Sequence, residues 1–131
     1  MKPSADPSLD DFERLARAAY AALPAEFRNL THGIVFMVQD FPDDETARDL
    51  VLRSKFDLLG LYRGATLAGE ESGAAIGGQN MIFLFRRPIL DFWRAQGGAL
   101  ADIVRHVLVH EIGHHFGLSD EDMEAIENSG P

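Results

Sequence analysis

Apolar residues along the chain recur at two spacings, one helical and one extended. Leu9, Phe12, Leu15, Ala16, Ala19 and Leu23 fall every three or four positions up to Pro24, with Ser8 placed to cap them, which predicts an amphipathic helix of about four turns. Pro24 to Arg28 adds a helical turn with proline at its first position. Ile34-Val35-Phe36-Met37-Val38 is a β-branched, apolar run of strand type, stopped by Asp40-Phe41-Pro42. Asp43 or Asp44 then caps a short helix through Ala47, Leu50 and Val51, and Leu58 to Tyr62 reads as a second strand. Between Gly64 and Asn80 five glycines (Gly64, Gly69, Gly73, Gly77, Gly78) replace any periodicity, so a long loop is expected. Met81 to Phe85 returns to strand character. Arg86-Arg87-Pro88 ends it, and Pro88 opens a short helix that Gly97-Gly98 breaks.

The last third of the chain differs from the rest. From Ala99 to Phe116 the pattern is helical but apolar on nearly every side, through Leu100, Ile103, Val104, Val107, Leu108, Val109, Ile112 and Phe116, which is the signature of a buried central helix. Ser119 to Glu127 follows as a capped terminal helix packing through Met123 and Ile126. Helices at both ends and a few strands between them predict an α+β fold. The 131 residues are expected to form one domain, 1–131, with 1–7 as a mobile leader.

Composition narrows the chemistry. With 46% apolar and 25% charged residues the chain is an ordinary globular sequence. The absence of cysteine excludes disulfides, thiolate metal ligands and a cysteine nucleophile. No stretch approaches the ~20 apolar residues of a membrane span, and the expected location is cytoplasmic. A net charge of −9 disfavours nucleic acid as a partner, since phosphate backbones are bound through lysine and arginine.

Within the apolar helix lies His110-Glu111-Ile112-Gly113-His114. Four residues at ~100° each bring His110 and His114 onto one helix face, where both imidazoles can reach one metal ion. Glu111, one residue along, is positioned to meet a metal-activated water as a general base without being a ligand. Polar groups in a buried helix are costly unless paired or metal-bound, which favours a metal site over packing. Zinc needs a third protein ligand. Gly117 can end the helix in a left-handed turn that brings Asp120 back toward the histidines. Asp120 leads on spacing over Glu121, Asp122 and Glu124, whose ordinary role is that of first-turn carboxylates favoured at a helix N-terminus. His115 is off the ligand face and reads as packing. His106, one turn before His110, either lines the cleft or packs. His32 reads as a loop residue, and Tyr62 as a strand residue that packs rather than an oxyanion donor.

The run His110 to Asp120, with Val104 to Val109, Phe83 to Pro88 and Leu61-Tyr62-Arg63-Gly64 upstream, resembles the small bacterial zincin-like metallopeptidases with an HExxHxxGxxD motif. The resemblance implies a minimal zincin-like fold, a small mixed β-sheet of about three to four strands packed on a buried active-site helix. It implies one zinc ion held at His110, His114 and Asp120, with Glu111 as base. The expected substrate is a peptide or unfolded protein segment, aligned along a sheet edge near Met81 to Phe85. Relative to the broader metzincins the third ligand is aspartate, and Met123 belongs to the terminal helix and not to a methionine turn. Two other functions compete. One is an RNA hydrolase of the rRNA-maturation type, against which stand the acidic charge and Glu121 in place of a third histidine. The other is a zinc-binding interaction module with little catalysis, against which stands the intact Glu111.

Overall fold

A computed structural model of the chain describes residues 6–31, 33–64 and 80–128. The first helix, α1 (Leu9–Ala21), begins where the sequence places it. The Ser8 hydroxyl accepts from the Asp11 amide and the Asp11 carboxylate accepts from the Ser8 amide, so two of the helix's orphan donors are satisfied reciprocally. Asp6 and Pro7, the described part of the expected leader, are tied to the body of the protein. Asp6 pairs with Arg94, and the Pro7 carbonyl accepts from Arg86 Nε at 2.6 Å. After a single turn, α2 (Ala25–Arg28), the chain enters strand β1 (Val35–Gln39). The helix capped by Asp43, α3 (Asp44–Asp49), is shorter than its apolar spacing suggests. It stops before Leu50 because Val51 turns left-handed at φ 54° and stands exposed.

Strands β2 (Gly60–Arg63) and β3 (Met81–Phe85) complete a three-stranded sheet of order β1-β3-β2, with β1 parallel and β2 antiparallel to β3. The mixed sheet of an α+β fold is thus as expected. One expectation is overturned: Met81 to Phe85 is not a sheet edge. It is the central strand, hydrogen-bonded on both sides, so an extended peptide cannot pair with it. Helix α4 (Arg86–Gln96) follows β3 directly and starts two residues before Pro88, which the first turn tolerates because its missing N–H would have had no partner there. The last two helices are α5 (Leu100–His115) and α6 (Asp120–Asn128). Among the described residues, no helix is long and apolar enough to cross a membrane.

The register aligns Phe36, Ile82 and Tyr62 across the sheet, and beside them Val38, Leu84 and Gly60. Side chains alternate along strands, so these six positions share one face, and that face receives α5. Phe12 and Ala16 of α1, Ile82 and Leu84 of β3, and Val104, Leu108 and Ile112 of α5 form the buried core. Leu61, Phe83 and Phe85 lie on the opposite face, beside α3.

Gly60 sets how close β2 comes to α5. A Cβ at this position would stand 2.6 Å from Val107 Cγ1 and 2.9 Å from the Phe83 carbonyl oxygen. The backbone oxygen has no room to yield, so Gly60→Ala is expected to destabilise the protein by about 1–3 kcal/mol in urea denaturation. A variant as stable as wild type would show that strand and helix are not held at this separation.

Candidate metal centre

Helix α5 carries the motif in its last two turns, up to a well-defined C-terminal end. Gly117 adopts φ 75° just beyond the last turn; the Leu118 amide then donates to the Gly113 carbonyl at 2.9 Å and the Gly117 amide to the His114 carbonyl at 3.2 Å. This pair of bonds satisfies the terminal carbonyls and reverses the chain. Ser119 caps α6, its hydroxyl accepting from the Asp122 amide at 3.0 Å. Helix α6 therefore runs back along α5. Met123 is fully buried over Gly113, where a Cβ would lie 2.4 Å from its sulfur. At the far end Arg105 donates to the carbonyls of Ile126 and Glu127, at 3.2 and 3.1 Å, fixing the last turn of α6 against α5.

Two ladders face each other across this hairpin. On α5, His106, His110 and His114 follow at intervals of four, with ring centroids 3.9 Å and then 5.8 Å apart. On α6, Asp120, Glu124 and Glu127 follow at intervals of four and three, along one face. His106, His110, Asp120, Glu121, Glu124 and Glu127 line one cleft of about 460 Å³. Four carboxylates and two imidazoles give it a field that attracts cations. A neighbouring apolar pocket, lined in part by Leu59, Phe92, Ile103 and Val107, also reaches His106 and Glu127.

Glu111 points elsewhere. It is largely buried on the side of α5 that faces β2, with its Cγ over Gly60, and burial pushes its carboxyl up to about 7. One turn further on, His115 packs edge-on against Tyr62 with ring centroids 4.5 Å apart, in keeping with a packing role. The Tyr62 hydroxyl is buried without a hydrogen-bond partner among the described residues, and burial raises its pKa to about 12. His32 and the glycine-rich stretch 65–79 lie outside the described residues.

The histidines of the motif occupy one helix face, as their spacing requires. His114 is exposed, and Asp120 stands in the first turn of α6 on the cleft wall. The carboxylate in contact with the histidines is a different one. Glu127 Oε1 lies 2.8 Å from His106 Nδ1, and its Oε2 lies 3.2 Å from His110 Nε2. Among the described residues these three form the group whose donor atoms all lie within 4.8 Å of one another; His110, His114 and Asp120 do not close into such a group. Reasoning from sequence missed Glu127. The available signal was its place seven residues after Asp120, which returns it to the same face of a helix that must run back along α5.

The donor types suit a divalent metal: neighbouring imidazoles on one helix face opposite carboxylates, with no thiolate in the chain. A family model described as zincin-like metallopeptidase matches residues 31–129, a span containing every strand and the whole α5–α6 hairpin. No curated protein matches the chain.

Proposed function

The chain belongs to the zincin-like metallopeptidase family, and from that premise we propose that it hydrolyses peptide bonds with one zinc ion held by His110, His114 and Asp120 and with Glu111 as general base. The observation that carries this reading is Glu111 itself. It lies one residue along α5 from His110, on the helix that puts His110 and His114 on one face, and is held largely buried against β2 at Gly60, a position from which a carboxylate can act as a base. Zinc, when bound, would supply a Lewis acid that polarises a carbonyl and lowers the pKa of water to about 7.

Glu111 takes a proton from the water whose oxygen attacks the peptide carbonyl carbon. As the C–N bond breaks, the same carboxyl returns that proton to the departing amine, so no covalent enzyme intermediate is needed. Strand β2 borders this carboxyl at Gly60 and replaces β3 as the strand beside which an extended substrate is aligned. The four carboxylates of the cleft repel phosphate backbones and support a peptide over an RNA substrate.

The test uses chelator-stripped protein and a mixed peptide library read by mass spectrometry. One equivalent of zinc is expected to produce new peptide termini, and excess chelator to abolish them. Bound zinc without cleavage of any peptide would instead favour a metal-binding module and reject the peptidase reading.

A further inference from the structure

We propose that His106, His110 and Glu127 form a second position for a zinc-class divalent ion, one helical turn upstream of the motif and overlapping it through His110. The inference goes beyond the peptidase reading, because neither His106 nor Glu127 belongs to the His-Glu-x-x-His motif.

Distances carry the argument first. Four ligand atoms around a zinc ion with bonds of about 2.0–2.1 Å lie about 3.3 Å from each other along the tetrahedral edges. The Glu127 oxygens lie 2.8 Å from His106 Nδ1 and 3.2 Å from His110 Nε2, and one donor atom from each residue falls within 4.8 Å of the other two. The three groups therefore already stand close to the separations that a shared ion requires. Two imidazoles and a carboxylate select zinc and its transition-metal neighbours over calcium or magnesium, which prefer oxygen ligands throughout.

Preorganisation adds a second argument. His106 and His110 repeat the four-residue spacing of His110 and His114, so the same helix geometry that serves the motif serves the upstream pair. Glu127 is the counterpart that α6 brings to them. Its backbone is held by Arg105, and the Glu127 and His110 side chains are 21% and 24% exposed, well out of bulk water. The cleft around them supplies further carboxylates, from Glu124 and Glu121, to offset the ion's charge. One imidazole nitrogen holds one ion, so occupation of the two positions through the same nitrogen of His110 is alternative. An ion upstream lies a turn away from His114, and the chain can therefore retain a metal that does not serve Glu111.

The experiment is calorimetric titration of zinc into chelator-stripped full-length protein, for wild type, His114→Ala, Glu127→Gln, and the two substitutions combined. Thermal unfolding of each metal-free protein establishes that it is folded. His114→Ala is expected to bind one equivalent of zinc, and adding Glu127→Gln is expected to weaken that binding by more than the roughly 10–100-fold that loss of an outer-shell partner costs. Folded His114→Ala that binds no zinc, or binds it equally well with Glu127→Gln, overturns the proposal. If Glu127→Gln alone abolishes the wild-type protein's binding while His114→Ala leaves it unchanged, the upstream position stands and the motif ligand set fails, so the two readings are separable.

Discussion

Glu111→Gln is expected to lower peptide hydrolysis by about 10²–10⁴-fold while leaving zinc stoichiometry at one, because the amide keeps the size of the side chain but cannot accept the proton of the attacking water. Steady-state cleavage of a peptide found in the library, together with metal analysis of the same sample, checks both halves. Equal cleavage by the two proteins would reject Glu111 as the base. The same substitution has a second effect, opposite in sign, on the metal-free protein. Burial raises the folded-state pKa of Glu111 from an ordinary 4.5 to about 7, so the folded chain holds this proton more tightly than the unfolded chain does. The contribution of the protonated carboxyl to stability is fully present below about 4.5 and is lost as the pH rises through about 7. Glutamine carries no such dependence. Chelated Glu111→Gln should therefore match wild type in denaturation near pH 4.5 and exceed it by about 1–2 kcal/mol at about pH 8, a figure reduced from the full shift because the side chain is not wholly shielded from solvent. A group kept for chemistry at a cost to stability would behave in this way.

Met123→Ala should produce the largest loss of stability connected with the site. The side chain is fully buried and fills the space over Gly113, the point where α6 rests on α5. Truncation there costs about 2–5 kcal/mol, which for a chain of this length lowers the melting temperature by about 10 °C or more. The consequence for the metal follows from where α6 presents its carboxylates. Asp120 and Glu127 flank Met123 on the same short helix, so loosening that one contact displaces Asp120 on the cleft wall and frees Glu127 from the histidines of α5. Zinc affinity measured by titration should fall along with thermal stability. An affinity unchanged in a destabilised variant would mean that the carboxylates of α6 play no part in holding the ion.

The route from sequence to structure was shortest where the signal is local. The Ser8 and Asp43 caps, the buried course of α5 and the turn at Gly117 all depend on residues a few positions apart, whose spacing carries its own geometry. Val51 shows the limit even at short range, since its apolar character suggested a longer α3 while its own backbone turns left-handed and the helix ends at Asp49. Long-range pairing was less legible. Met81 to Phe85 is an apolar run of the kind that suits either a central or an edge strand, and only its pairing with both β1 and β2 decides between them.

The candidate site divides along the same line. Residue order alone determines that His110 and His114 share a face and that Glu111 lies beside them, because the α-helix turns through a fixed angle per residue. It also determines that the chain reverses after Phe116, through the glycine that tolerates a left-handed backbone. Which carboxylate of α6 meets which histidine was decided by the tertiary structure, since several acidic residues there have similar spacing and the crossing of two helices selects among them. Met123 over Gly113 and Arg105 on the last carbonyls of α6 set that crossing, and they bring Glu127, seventeen residues from His110 in the chain, to 3.2 Å.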